Sequence, residues 1–414
     1  MRRLVILGGG TAGTLVANKL RRRLASGDWQ ITVIDRDHAH LYQPGLLFMP
    51  FGGRGDLRRS RRRLLRPGIQ LLLGEVERVD PERKRVRLAD GQLVGYDYLV
   101  IATGTTPRPD QTPGMLGAEW RRSIHDFYTY DGAVALRDAL SHFSGGRLVV
   151  HVVEQPVKCP VAPLEFVFLA EAYFRRLGMR DQVEFVYVTP LDGAFTKPVA
   201  SRYLGGLLDE RKITLETDFL VERVDAARRV LVSYDEREIE YDLLVTVPLN
   251  MGADFVAASG LGDELNYVPV DRHTMQSTAY PDVFAIGDAN DLPTSKAGSV
   301  AHFSGEVFAD NFCEYVAGRP MSRQFDGHAN CFVETGDGKG LLIDFNYDTE
   351  PLPGRFPLGR LGPLSLLRET RANHWGKLAF RWVYWHLLLP GRRLPVPVRM
   401  SMAGKHRPHE EVTR

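Results

Sequence analysis

Apolar positions in this chain gather into short unbroken runs. LVIL (4–7), ITVI (31–34), YLVIA (98–102), LVVHVV (148–153) and LLVTV (243–247) are each flanked by turn-forming glycine, proline or aspartate. Runs of this length read as strands buried on both faces, the kind found in parallel sheets. Between them lie stretches with helical spacing, such as TLVANKLRRRL (14–24) and FVFLAEAYFRRLG (166–178). Strand alternating with helix predicts an α/β fold with doubly wound parallel sheets. A chain of 414 residues is expected to hold two or three domains.

The first strand–helix unit carries a chemical signature. Gly8, Gly10 and Gly13 fit G-x-G-x-x-G. The first glycine permits the tight turn, the second lets backbone approach a pyrophosphate, and the third lets helix pack on strand. The phosphates then meet the unpaired N–H groups and positive dipole end of a helix. Asp35, at the end of the second strand and twenty-two residues after Gly13, suits a ribose hydroxyl. The glycines alone are a weak signal; strand, helix and acid together make a ligand-free turn improbable.

Composition narrows the class. The chain is 44% hydrophobic and 25% charged, ordinary for a folded protein. Its three cysteines, Cys159, Cys313 and Cys331, are too few for a disulfide scaffold and match no zinc spacing, so no metal is expected. Net charge is +2, but from Arg355 onward twelve Lys/Arg face three acidic residues. No run is apolar for the roughly 18 residues of a membrane-spanning helix. The first strand begins at once, so no signal peptide is expected. Nothing pairs the basic charge with a nucleic-acid recognition motif.

Two later segments, YDYLVIATGTTPRP (96–109) and YPDVFAIGDAND (280–291), complete a pattern. With the N-terminal loop they resemble the FAD domain of the pyridine-nucleotide-disulfide-reductase-like flavoproteins. That resemblance implies an FAD site at Gly8, Gly10, Gly13, Asp35, Ala102, Thr103, Gly104, Gly287 and Asp288, with Asp288 on the ribityl chain. It implies two Rossmann-like domains, the FAD domain being discontinuous: 1–105 and 255–325, with 106–254 inserted and 326–414 as a C-terminal region. The inserted domain should carry a second glycine loop if NAD(P)H were the donor. It has EQPVKCPVAP (154–163), whose prolines lack the N–H groups that phosphate needs. NAD(P)H is therefore not the expected donor.

The resemblance narrows to the sulfide:quinone oxidoreductases, and to their mitochondrial-type members, on HLYQPGLLFMPFG (40–52), VKCPVAPLEFVFLAEAYFRRLG (157–178), LPTSKAGSVAHFSG (292–305) and ANCFVETGDGKGLLIDFNYDTEPLP (329–353). It implies that Cys159 and Cys331 form a redox pair beside the flavin, that Glu165 moves protons there, and that Lys296 steadies charge on the flavin ring. It implies sulfide and a membrane quinone as substrates and a thiol as onward sulfur acceptor, and it is compatible with a homo-oligomer. SIHDFYTYDG (123–132) lacks the cysteine that tethers FAD in bacterial members, so noncovalent FAD is expected; VYVTPLDGAFTKP (186–198) lacks the histidine some members place near the quinone.

Residue chemistry supports part of this directly. Cys159 precedes a helix, whose N-terminus favours a thiolate, and Lys158 adds positive charge if it points inward. Hydrosulfide attacking a sulfur–sulfur bond leaves one persulfide and one thiolate, which can pass electrons to a flavin. Cys159 is expected to meet the flavin and Cys331 to carry the persulfide; the reverse order stays open. Glu165 also fits a plain first-turn glutamate, Lys296 a surface loop lysine, and Cys313 packing.

HWGKLAFRWVYWHLLLPGRRLPVP (374–397) is aromatic, leucine-rich and basic. Trp375, Phe380, Trp382, Tyr384 and Trp385 form no single stripe, and the stretch is too short to span a bilayer. With Arg381, Arg392 and Arg393 it reads as a peripheral (monotopic) contact with the cytoplasmic face of a membrane; packing on the flavin domain is the alternative. RRSRRRLLR (58–66) reads as a solvated helix face or a second lipid contact. The functional alternatives are a type II NADH:quinone oxidoreductase, the flavin subunit of a sulfide-oxidising flavocytochrome, and a flavin-bearing sulfur-binding or redox-sensing protein.

Overall fold

The computed structural model describes residues 1–407 except Arg54 and Leu358; the last residues of the expected 326–414 region, from Pro408 on, lie outside it. The chain opens with β1 (Arg2–Leu7), α1 (Thr11–Arg21), β2 (Trp29–Asp35), β3 (Ile69–Leu73) and β4 (Tyr98–Ile101). It continues with β5 (Ile124–His125), β6 (Gly146–Val152), α2 (Ala162–Arg176), β7 (Val183–Val188), β8 (Ile213–Glu216) and β9 (Leu243–Val247). It then returns to the first sheet with β10 (Val283–Ala285), followed by α3 (Gly298–Val316). A third sheet is built from β11 (Ala329–Gly336), β12 (Lys339–Phe345), β13 (Gly354–Phe356) and β14 (Leu364–Leu366), and α4 (Arg371–Val383) packs on it.

The first sheet has the order β10-β4-β1-β2-β3 and the second β5-β9-β6-β7-β8. Every pairing in both is parallel. In each sheet the strand order reverses beside the central strand, at β1/β4 and at β6/β9. Such switch points open a crevice beyond the carboxyl ends of the strands, where ligands bind. The strand cores are apolar on both faces, as the unbroken runs require: Leu4, Ile6, Leu7, Leu99, Val100 and Ile101 are fully enclosed, as are Leu148, Val149 and Val150.

The third sheet is mixed, in the order β11-β12-β14-β13. β11 is an edge strand, and its outer edge lies against α2. This brings the helix after Cys159 against the strand bearing Cys331. Register shifts between Glu334 and Gly336, a bulge of the kind that re-aims side chains at a sheet edge.

Most of the basic run at 58–66 is exposed, as a solvated face would be, but Arg61 departs from it. Arg61 is buried, and its guanidinium donates to the carbonyls of Gly9, Asp37 and Ala39 while lying 3.2 Å from Asp35 Oδ1. Arg58 and Arg59 lie over the rings of Tyr130 and Trp385. Losing one partner of such a buried pair costs about 3–5 kcal/mol, because the other charge stays uncompensated.

The aromatic C-terminal segment divides into two faces. Trp375, Leu378 and Trp382, at helical spacing, are exposed on one side, while Tyr384, Trp385, Leu388 and Leu389 are buried. Packing on the flavin domain therefore holds for the buried residues, and the exposed ones form a clean stripe that the list of aromatics hid. Arg381 is not free for lipid: it donates to the carbonyl of Asp56 at 2.6 Å. Among the described residues no helix is long and apolar enough to cross a membrane.

Candidate active site

At the β1/β4 switch point the glycine loop meets the end of β4. Gly8 has φ +91°, and a Cβ there would sit 2.5 Å from the Ala102 carbonyl oxygen. A Cβ on Gly13 would sit 1.9 Å from Gly8 O, whereas one on Gly10 would touch nothing within 4 Å. Gly8 and Gly13 are thus steric necessities of the turn, and Gly10 leaves bare backbone beside a cavity. Gly287 (φ +67°) would bring a Cβ within 2.8 Å of Ala12.

The cavity is lined by Gly10, Ala102, Thr103, Gly104, Gly287, Asp288 and Lys296. Thr103 Oγ1 is buried there without a hydrogen-bond partner among the described residues. Open backbone at a helix N-terminus, an unsatisfied hydroxyl and the Asp288 carboxylate on the wall fit FAD. Asp35 lies outside the lining. It accepts the Gly9 N–H at 2.6 Å and the Asp37 N–H at 2.9 Å, and it pairs with Arg61. It therefore shapes the glycine loop besides any contact with a ribose.

The segment carrying Cys159 is fastened across the equivalent crevice of the second sheet. Val153 N–H donates to Val247 O at 3.1 Å, and Lys158 N–H to Asn250 Oδ1 at 3.3 Å. Cys159 N–H donates to Lys296 O at 2.6 Å, which ties the inserted sheet's loop to the FAD cradle. Cys159 has φ +52°, a left-handed conformation that costs a side-chain-bearing residue about 1–2 kcal/mol. The residue is half-buried and opens on the cavity.

The expected thiolate at a helix N-terminus is corrected by its surroundings. Burial first, and then the Glu165 charge, push the Cys159 thiol up to about 12. Lys377 and the Ala162 N–H pull the other way without winning. Lys158 does point inward: it lines the cavity, 5.8 Å from the Tyr128 ring centroid. Lys296 is buried, donates to Asn290 O at 2.5 Å, and is pulled down by burial against the attraction of Asp288.

Cys331, on β11, is buried and does not line the cavity. Its thiol is raised by burial and then by charge on Cys159 and Glu165, which puts the three groups within electrostatic reach of one another. Cys313 sits on α3, away from this group, and contacts the core as packing.

Glu165 is not a plain first-turn glutamate. It is buried, and its Oε1 accepts the Glu334 N–H at 2.7 Å, a donor left free because β11 is an edge strand. The same oxygen receives Lys377 Nζ from α4. Burial lowers the Lys377 ammonium, but Glu165, Cys159 and Glu334 together outweigh it and hold the proton on.

Sequence reasoning missed Lys377, Glu334, His374, Tyr128 and Tyr384. Lys377, Phe380 and Tyr384 all line the cavity and recur at i, i+3 and i+7, the face complementary to Trp375, Leu378 and Trp382. That periodicity lies in the sequence, masked by aromatics that fall on both faces. Tyr384 O–H lies 2.7 Å from both His40 Nε2 and Thr11 Oγ1, and His40 Nδ1 is 3.1 Å from Gly9 O. Burial, then Arg61, push His40 down to about 4. Neutral His40 therefore donates from Nδ1 to the Gly9 carbonyl and accepts the Tyr384 hydroxyl at Nε2.

The raised thiol has a measurable consequence. Only the thiolate alkylates, so the rate at Cys159 should climb about tenfold per pH unit between about pH 7 and pH 9 without levelling. Peptide mapping after iodoacetamide pulses follows it. A plateau within that range would contradict the burial argument.

Comparison with known proteins agrees with this geometry. Residues 2–151 match the family model described as pyridine nucleotide-disulphide oxidoreductase. The chain is 26% identical over 397 residues to the mitochondrial sulfide:quinone oxidoreductase of Mus musculus, covering 94% of this chain and 86% of the relative. It is 30% identical over 304 residues to a Castellaniella defragrans protein named probable ferredoxin reductase, covering 70% of this chain and 68% of that one. The X-ray structure of the Aquifex aeolicus sulfide:quinone oxidoreductase superposes with a TM-score of 0.77 at 20% identity, covering 95% of this chain and 92% of that one. The chain belongs to the pyridine nucleotide-disulphide oxidoreductase family of FAD-binding flavoprotein oxidoreductases, and within it resembles the sulfide:quinone oxidoreductases over nearly its whole length.

Proposed function

We propose that this flavoprotein oxidises sulfide to sulfane sulfur or polysulfide and reduces a membrane quinone. The observation carrying the proposal is the meeting, at one cavity, of an FAD cradle with Cys159, Glu165 and Lys377, with Cys331 behind them. The named activity of the Mus musculus relative, similar over nearly the whole chain, supports it.

In this reading Cys159 and Cys331 cycle between a sulfur–sulfur bond and a reduced form. Hydrosulfide attacks the bond; one cysteine keeps the new sulfur as a persulfide and the other leaves as a thiolate. The bound flavin supplies the electron sink that takes two electrons from this sulfur and yields them to the quinone. Cys159, on the cavity wall, faces the flavin, and buried Cys331 carries the persulfide. A buried thiolate needs a cation, and Lys377 stands beside Cys159 to provide it. Glu165 holds and moves the proton at its Oε1. Lys296 and Lys158 offset Asp288 in the cradle. The apolar side of the cavity, from Pro44, Leu46, Leu47 and Phe380, suits a quinone ring.

The exposed stripe of Trp375 (66%), Leu378 (41%) and Trp382 (59%) is the surface that would rest in a bilayer interface, where indole rings favour the headgroup boundary. It lies on the helix whose other face lines the cavity, so a lipid-borne quinone has a short way in.

Two measurements test this reading. Anaerobic holoprotein should be bleached at the flavin band by near-stoichiometric sulfide and recoloured by a short-chain quinone. Cys159→Ser and Cys331→Ser should keep FAD yet lose fast bleaching; bleaching by NADH instead of sulfide would reverse the assignment. Anionic vesicles should shift tryptophan emission to the blue, and the shift should vanish in the Trp375→Ser/Trp382→Ser double variant. An unchanged shift in that variant would remove the stripe from the membrane contact.

A further inference from the structure

We propose that His374 and Glu334 form the proton port of the redox cavity, passing protons between solvent and the Glu165–Lys377 pair. The inference rests on the sulfide and quinone reading for its stoichiometry. Hydrosulfide gives up two electrons and one proton, and a quinone takes two electrons and two protons. One proton per turnover must therefore enter from solution. Reducing a flavin by two electrons that arrive without protons likewise draws in at least one proton.

The cavity-side acceptors are enclosed. Glu165 and Lys377 side chains are 1% and 12% exposed, and Lys377 opens on the cavity. Glu334 follows Glu165 through the hydrogen bond from its own N–H to Glu165 Oε1. Its carboxylate is 1% exposed, with Oε2 held 2.8 Å from His374 Nδ1. Glu334 Oε1 has no hydrogen-bond partner among the described residues, which leaves one carboxylate oxygen free to take a proton. His374 is 21% exposed and is the member of the four that reaches the outer surface.

The backbone is arranged to keep that carboxylate where it is. The bulge in β11 falls at Glu334, and its cross-strand neighbour on β12 is Gly340. A Cβ on Gly340 would sit 3.7 Å from Glu334 Oε1 and 3.0 Å from Val333 O. The absent side chain leaves the carboxylate unobstructed on that side. Charged groups near the pair are Glu165 from α2, Lys377 from α4 itself, and Arg211, which donates to the carbonyl of Thr335 and to Glu369; Gly340 of β12 stands opposite Glu334. Burial raises the Glu334 carboxyl, with Lys377 and His374 opposing, which suits a group that must accept and release a proton. A carboxylate placed for structure alone would be expected to use both oxygens.

The experiment is photoreduction of FAD-loaded protein in weak buffer with a pH-indicator dye. Wild type should take up protons in step with flavin reduction. In His374→Ala uptake should lag reduction by on the order of tenfold to a hundredfold, and added imidazole should restore it. Glu334→Gln should lag without imidazole rescue. His374→Asn, which keeps a polar partner for Glu334 without a titrating ring, should lag like the alanine variant. Uptake at the wild-type rate in His374→Ala or His374→Asn, or a lag that imidazole fails to relieve in His374→Ala, would overturn the port. Because light drives the reduction, the result stands even if sulfide fails to bleach the wild type, an outcome that would sink only the substrate assignment.

Discussion

The contact on which the site depends is the buried ion pair of Lys377 and Glu165. Three parts of the chain far apart in sequence meet there: the helix after Cys159, the edge strand bearing Cys331, and the C-terminal helix. A lone charge in such surroundings would cost several kcal/mol, and the pair is tolerated because each member is satisfied. Glu165 also accepts a strand N–H that an edge would leave bare. Seating α4 therefore sets the charge around Cys159, closes the sheet edge and presents Phe380 and Tyr384 to the cavity, all from one contact.

A second anchor holds the other end of α4. Tyr384 reaches Thr11 and, through neutral His40, the Gly9 carbonyl. The same Gly9 carbonyl also accepts from Arg61, which pairs with Asp35. The FAD cradle is thus held by one polar cluster, part of which belongs to the segment that exposes Trp375 and Trp382. Anything that shifts that segment acts on the cradle and on the charge beside Cys159 together.

How much of this the sequence disclosed follows from how local each constraint is. The glycine loop was legible because its requirements are steric and fall within a few residues: Gly13 must lack a side chain because Gly8 O is beside it. Parallel strands were legible because burial on both faces leaves unbroken apolar runs. Asp35 stands out as a ribose acid, whereas its contacts in the structure are with the glycine loop and Arg61; Arg61 was not legible, since a buried arginine in an arginine-rich run looks like its solvated neighbours. The cysteine pair came from resemblance rather than spacing, because β11 and α2 are separated by the whole return of the FAD sheet. Lys377 was hidden among aromatics whose two faces only a helix wheel separates. The thiolate expectation failed because a helix N-terminus is a weak local effect, and burial with Glu165 close by is a larger one.

The central claim is that sulfur chemistry runs through Cys159 and Cys331 and not merely near them. Peptide-level mass spectrometry after one equivalent of sulfide, added anaerobically to the oxidised holoprotein, addresses it most directly. The account predicts one additional sulfur atom on the peptide of Cys331 or of Cys159, and none on that of Cys313. A bleached flavin with no sulfur on either peptide, or with sulfur on Cys313 alone, would contradict it.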